Sequence, residues 1–366
     1  MTAASTLLKT ALLRVEAGVI KGAAACLRTL PLKQRIAFLS RQSSKKSLDY
    51  RLLINKLHTT LKDDQIVTCL IEPETKGMGA FIVGTCKQLY YACTSQVVVV
   101  DDYIPAVSIP SKDNRITVVQ MWHALGAIKK FGYQCIGTSA GRNDAEARIG
   151  CMHQNYDWII SGGTTSVSAF AEAFGYPKEQ ILPLGLPRID YLLDTDPDAR
   201  RKKRDQEIRA EYPFLDNGKS NVLYAPTLRK GNGYEGWFTQ AVEQVAQHYG
   251  DDVNLIIAGH PLDNGLDEAI LEHYPSIRVI NGVATINLLE SADVVVSDYS
   301  AIIFEAILLH KNIELYVPDL EQYRQSPGLN LEPQDGRYDL DEFQEQHPCF
   351  SDVTGTIAQF LIDKLH

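Results

Sequence analysis

The chain has 366 residues, 45% of them hydrophobic and 22% charged, with a formal net charge of -9; that length suits two domains of ordinary size, each burying its own core. An acidic chain lacks the basic surface that phosphate neutralisation needs, which excludes a general nucleic-acid binder. Seven cysteines, odd in number, irregularly spaced and without a CxxC pair, exclude a disulfide framework and fit reduced thiols in the cytosol.

The charge is unevenly spread: up to Lys46 nine basic residues stand against the single acid Glu16, a net of +8, which leaves -17 for the remainder. On a helix, Leu8, Leu12, Val15, Val19, Ala23, Cys26 and Leu30 fall on one side and Arg14, Lys21 and Arg28 roughly opposite, until Pro31 stops the pattern. Such a basic amphipathic helix, residues 1–30, is expected to associate with an anionic membrane surface, leucine and valine entering the acyl region and cations meeting headgroups; the alternative is a surface helix packed on the protein's own core. Lys9, Arg14 and Lys21 interrupt any signal-peptide apolar core, and no uninterrupted apolar run of about 18 residues is present. The expected location is therefore peripheral, on the cytoplasmic face of the cell membrane.

After Pro31, short β-rich apolar runs alternate with longer helical patterns, the signature of a parallel α/β architecture. Strands are predicted over Ile36 to Ser40, Ile66 to Ile71, Val97 to Val100, Ile116 to Met121, Trp158 to Ser161 and Ile181 to Leu184. The charged stretch Asp194 to Asp205 reads as a linker or an exposed helix start. The alternation then resumes with Val222 to Ala225, Leu255 to Ala258, Ile277 to Ile280, Val294 to Ser297 and Ile313 to Val317. Two successive sets predict two Rossmann-type domains facing a cleft, at 31–193 and 206–366. Neither carries a clean GxGxxG or P-loop, which leaves a plain dehydrogenase or Walker ATPase unsupported.

Ligands of such sheets sit beyond the carboxyl ends of strands, so polar residues directly after strands are the candidates. His123, in Trp122-His123-Ala124-Leu125-Gly126 followed by Lys129 and Lys130, ends one strand and suits a general base, because imidazole titrates near neutrality; a structural histidine is the plainer reading. His260, before Pro261, ends another strand and is read as a donor-phosphate contact or a turn cap. Ser297, Asp298 and Ser300 open a helix whose start suits a diphosphate, or else merely cap it. Glu305, further along, is a candidate for holding ribose hydroxyls. Arg229 and Arg188 each follow a strand and a turn and are read as phosphate contacts or domain-interface ion pairs. No carboxylate cluster resembles a magnesium cage. No cofactor or metal site is expected, although a substrate-borne divalent cation is compatible with the pattern.

The ordered set WHALGAIKKFG, LGLPRID, YAPTLR, AGHP and SDYSAIIFEA, spanning roughly Leu30 to Tyr323, resembles the CDP-glycerol glycerophosphotransferase family of teichoic-acid and capsule synthesis. The resemblance implies a GT-B-like fold and transfer of glycerol phosphate or ribitol phosphate from a CDP-alditol to a lipid-linked (polyprenyl-diphosphate) saccharide acceptor, with release of CMP. By that analogy His123 and His260 are the essential histidines and Ser297, Asp298 and Ser300 the donor-binding motif. Ala124 departs from the glycine that many members have after the first histidine. The chain corresponds to the catalytic module alone, which favours a primase over a polymerase. The alternative is a GT-B nucleotide-sugar glycosyltransferase or UDP-sugar epimerase, and a different class altogether is a silent nucleotide-binding scaffold.

Overall fold

The computed structural model describes residues 3–72, 77–195, 200–227, 229, 236–258, 266–267, 269–346 and 350–365. Its principal elements run α1 (Ala3–Leu27), β1 (Lys33–Ser40), α2 (Leu48–His58), β2 (Ile66–Leu70), α3 (Gly77–Thr94), β3 (Ser95–Val100), β4 (Thr117–Gln120), α4 (Asp144–Ile149), β5 (Trp158–Ile160), α5 (Val167–Phe174), β6 (Ile181–Leu182), α6 (Arg201–Glu211), β7 (Ser220–Tyr224), α7 (Trp237–Tyr249), β8 (Val253–Ala258), β9 (Ile277–Ile280), β10 (Val294–Ser297), α8 (Ile302–Leu308), β11 (Asn312–Leu315) and α9 (Val353–Ile362). Each of the eleven predicted strands is present, shifted by at most a few residues.

The chain forms two compact units: residues up to Arg188 together with those from Phe350 onward, and Ile189–Cys349. The first holds a parallel six-stranded sheet in the order β2-β1-β3-β4-β5-β6. Its central strands are buried on both faces, Val97, Val98, Val99 and Val100 being wholly enclosed, which is why they read as unbroken apolar runs without alternation. Ser47 caps α2 by accepting the Tyr50 N–H, and Asn143 caps α4 by accepting that of Glu146. The second unit holds a parallel five-stranded sheet, β11-β10-β7-β8-β9, covered by α7 through Phe238, Val242 and Val245. At the amino end of this sheet, Asn254 Nδ2 donates to Asn221 Oδ1 (2.9 Å) and Asn221 Nδ2 to the Leu215 carbonyl (2.9 Å), which satisfies polar groups that burial would otherwise penalise. In each sheet the first strand in the chain has its successors on opposite sides. The switch points therefore lie beside β1 and β3 in one unit and beside β7 and β10 in the other.

The boundaries differ from the expected ones at both ends of the second domain. Helix α9 belongs with the first unit: Val353, Ile357 and Leu361 are buried, Lys56 of α2 pairs with Asp352 at 3.3 Å, and Phe360 meets Trp158 edge-on at 6.1 Å. The charged stretch, read as a linker or an exposed helix start, opens a helix at Arg201 with Lys202 and Lys203 exposed, while Arg201 itself is buried and its fork bridges Asp194 (2.9 Å) and Glu290. A polar run signals exposure only on average, and two carboxylates are enough to hold one of its arginines inside.

Helix α1 also divides differently from the simple two-faced expectation. Ala17, Ile20 and Ala24 are buried in the first unit's core, with Ala23 and Leu27 packed beside them. The line Leu8, Leu12, Val15 and Val19 remains 62–66% exposed. Small residues let the helix lie close to the core while the larger aliphatic ones face outward. No described helix is long and apolar enough to cross a membrane.

Candidate functional site

Three neighbouring strand ends of the first unit meet around His123. Strand β4 runs into Met121 and then Trp122, whose φ of 55° is unusual for a residue with a β-carbon and marks stored backbone strain of about 1–3 kcal/mol. Gln120 holds this corner: its Oε1 accepts the Trp122 N–H (2.7 Å) and its Nε2 donates to the Asp102 carbonyl (3.2 Å). The Trp122 indole stacks on Phe131 at 4.9 Å and carries the His123 ring at 4.1 Å. The loop beyond is met closely by the backbone that follows β5, since a β-carbon at Gly162 would lie 1.9 Å from the Leu125 carbonyl oxygen; only glycine permits that approach.

His123 has an exposed outer edge, while Nδ1 faces inward to the Asp101 carbonyl oxygen at 3.0 Å and to the side-chain amide of Gln42. The same amide donates to the Asp101 carbonyl at 3.3 Å. The Asp101 carbonyl, which only accepts, fits the tautomer with the proton on Nδ1 and the Nε2 lone pair free, whereas the Gln42 amide nitrogen, which only donates, fits the one with the proton on Nε2. Enclosure lowers the imidazole pKa below its ordinary value, opposed by the Asp101 hydrogen bond and the Asp102 charge and reinforced by Arg188 and Lys129. The neutral ring at pH 7 has the state a base requires.

Asp101, directly after β3, is itself buried, and its Oδ1 meets no hydrogen-bond partner among the described residues. Burial raises its carboxyl from 3.8 to about 7, against the Ser40 hydrogen bond. Gln42, Asp101, Asp102 and Gln120 belong to no motif. For Gln42, Asp101 and Asp102 the signal is the one applied above to the histidines, a polar residue just after a predicted strand, whereas Gln120 lies inside the predicted strand and carries no such signal.

The other residues of the first unit separate by partner. Lys129 and Lys130 follow the His123 loop, Lys129 near enough to depress the imidazole. Arg188 is tied to Asp49 of α2, its backbone N–H at 2.8 Å and its Nε at 3.0 Å from the carboxylate. The fork of Arg188 is thus engaged in an ion pair inside the first unit. Arg14 and Lys21 are exposed. Arg28 is not a free surface cation: it pairs with Asp113 at 3.7 Å and donates to the Ser111 carbonyl at 2.6 Å.

In the second unit the switch point is closed by Asp298. Its Oδ1 accepts the Thr227 N–H at 2.8 Å and also that of Tyr299, joining the chain after β7 to the chain after β10. Arg229, 3% exposed in its side chain, lies 2.8 Å from Asp298 and 2.8 Å from Asp319. Trp237, Tyr299 and Tyr323 enclose the guanidinium at 4.3, 5.1 and 4.8 Å. Burial acts to lower its pKa, but the two carboxylates outweigh that and hold it above the ordinary value. Arg229 thus has two carboxylate partners inside its own unit. Ser297 is likewise internal, donating to the Ala225 carbonyl at 2.7 Å, and Glu305 is buried in α8. Ser300 alone of the motif is partly exposed, its Oγ 3.4 Å from the Ile302 N–H. His260 lies outside the described residues. Among the described residues no three His, Cys, Asp or Glu side chains gather as metal ligands.

Comparison with known proteins decides the family. Residues 24–335 match the family described as CDP-Glycerol:Poly(glycerophosphate) glycerophosphotransferase. The chain belongs to that family. It is 31% identical to the teichoic acid ribitol-phosphate primase of Bacillus spizizenii, over 86% of this chain and 82% of that one. It is 29% identical to the teichoic acid glycerol-phosphate primase of Bacillus subtilis, over 66% of this chain and 61% of the relative's length. The solved structure of the wall teichoic acid polymerase TagF with CDPG aligns with a TM-score of 0.66 at 16% identity, over 99% of this chain and 98% of that one; this likeness is one of fold, α/β and GT-B-like. This glycerophosphotransferase-family chain is accordingly a transferase, and the functional class expected from the sequence stands.

The buried Asp101 gives a pH prediction. A carboxyl whose folded pKa, about 7, lies above its ordinary 3.8 binds its proton more tightly when folded. Its contribution to stability is full below about pH 4 and is lost as pH rises through 7, by about 4 kcal/mol at most. Asp101→Asn should remove this decline, so urea denaturation at several pH values should give a flatter profile than wild type. Parallel profiles for the two proteins would refute the assignment.

Proposed function

We propose that the protein transfers an alditol phosphate, glycerol or ribitol, from a CDP-alditol to a hydroxyl of a polyprenyl-diphosphate-linked saccharide, releasing CMP. The observation that carries this reading is the placement of His123 at the carboxyl end of β4, its Nδ1 held by the Asp101 carbonyl, in a chain of this family. His123 Nε2 takes the proton of the acceptor hydroxyl, the oxygen attacks the β-phosphorus, and the bond from that phosphorus to the CMP oxygen breaks. The turn Tyr299-Ser300-Ala301, at the second switch point, is assigned to the donor diphosphate, with the Ser300 hydroxyl as a hydrogen-bond donor and His260 as a second contact. Arg229 and Asp298 serve this turn from beneath by fixing its backbone. Primases among the relatives support addition of a first unit in polymer synthesis.

The acceptor is read as membrane-borne and the enzyme as peripheral, on the cytoplasmic face. The exposed line Leu8, Leu12, Val15 and Val19 supports this, together with exposed Ile82 and Val83 on α3, against which α1 packs.

Incubating the protein with CDP-glycerol, CDP-ribitol and UDP-sugars in turn, with a synthetic lipid-linked disaccharide, should release CMP from a CDP-alditol and no UDP. Product mass separates one addition from many. His123→Ala should lower turnover by about 10² to 10⁴ with little change in CMP affinity; near-wild-type turnover in the folded variant would remove His123 from the chemistry. For the membrane reading, Leu12→Gln with Val15→Gln alters exposed positions only. Flotation with phosphatidylglycerol vesicles should fall while the thermal midpoint stays within a few degrees, and undiminished flotation would contradict the assignment.

A further inference from the structure

Among the described residues Arg41 has no carboxylate partner in an ion pair. It follows β1 directly, at the switch point beside β3, and its neighbour Gln42 touches His123. The residue is partly buried, and its Nε is closed off from solvent without a hydrogen-bond acceptor among the described residues. The guanidinium lies over the Phe81 ring at 5.0 Å. Charges withdrawn from water are ordinarily paired, because desolvation without a partner is costly. A second guanidinium, that of exposed Arg142, lies over Tyr103 at 4.7 Å, and Tyr103 follows β3 by three residues.

Burial lowers the pKa of Arg41, and the like charge of Arg142 lowers it further; Asp102 and Glu16 act the other way. Neither carboxylate forms an ion pair with Arg41 among the described residues, in contrast to Arg188 and Arg229, whose carboxylate partners close on them directly. Arg142 lies over Tyr103, and the charges of both arginines act on that tyrosine and on each other; two like charges in mutual range, one with its Nε closed off from water, make a pair that an incoming dianion relieves.

We propose that Arg41 and Arg142 bind the phosphate or diphosphate group of the acceptor. This rests on the reading of His123 as the base for the acceptor hydroxyl, and it gives that acceptor a second anchoring point. The surroundings suit a phosphate joined to a hydrocarbon. Phe81 belongs to α3 and Glu16 to α1, the two helices that carry exposed Ile82, Val83, Leu12 and Val15. Arginine suits the task because its planar fork meets phosphate oxygens in pairs.

The test uses the full chain with farnesyl diphosphate and inorganic pyrophosphate as probes, read by calorimetry without turnover. Wild type should bind both, Arg41→Gln and Arg142→Gln should each weaken both by about tenfold or more, and CMP affinity should stay unchanged. In steady-state assays the preference for a diphosphate-bearing over a phosphate-free acceptor should fall by a similar factor. Flotation on phosphatidylglycerol vesicles separates the two sources of phosphate: both variants should float like wild type. Variants that lose flotation yet keep their farnesyl diphosphate affinity would overturn the proposal, by assigning the arginines to lipid headgroups. Unchanged diphosphate affinity in both variants would also overturn it. A thermal melt checks folding; if Arg41→Gln fails to fold, Arg142→Gln, at an exposed position, decides alone. Absence of CMP release in the nucleotide assay would count against the transfer reading, whereas the calorimetric result stands apart from it.

Discussion

A parallel sheet has to send its connections to one side or the other, and where the direction changes two adjacent strand ends part company. That crevice opens in each unit, and in both the chain places polar side chains there that bind the two departing segments to each other. In the first unit the Gln42 amide, after β1, meets both the Asp101 carbonyl, after β3, and the His123 ring, after β4. In the second the Asp298 carboxylate, after β10, takes the Thr227 N–H, after β7. Without these bonds the strand ends would present unpaired backbone groups at a buried edge. With them, each crevice becomes a fixed surface.

The same constraint explains how the basic residues divide. Arg188, Arg201 and Arg229 are each matched with carboxylates inside their own unit, where an arginine's fork fixes the chain geometry. Among the described residues Arg41 and Arg142 are not matched in that way. A buried ion pair contributes little net stability but costs heavily when broken, so matched arginines belong to the scaffold and unmatched ones are where a ligand's charge finds use. Asp101 differs from these arginines in that burial raises its carboxyl to about 7, against the Ser40 hydrogen bond.

Much of this was legible beforehand. Each predicted strand is present because fully buried parallel strands such as Val97 to Val100 carry an apolar signal that little else imitates. His123 stood out because a histidine after a strand is rare and chemically distinctive. The role of Arg229 was not legible: its partner Asp319 lies 90 residues away, and only the fold brings them together. Helix α9 was assigned to the wrong unit for a similar reason, since its contacts with α2 cross nearly the whole chain. Helix α1 showed its outward stripe in the sequence. The alanines that fasten it, Ala17 and Ala24, did not announce themselves, because small residues suit a surface and a close helix contact alike. Gln42 and Asp101 follow predicted strands as His123 does, but glutamine and aspartate are common enough after strands that position alone does not single them out.

The central claim is that the two switch points have different tasks, the one near His123 serving the acceptor and the one near Asp298 serving the nucleotide. Hydrogen–deuterium exchange with and without CMP tests it most directly. The account predicts slowed exchange at Thr227 and at Tyr299 to Ile303, with exchange at Met121 to Ala127 unchanged. Protection confined to the His123 loop, with none after β7 and β10, would contradict it.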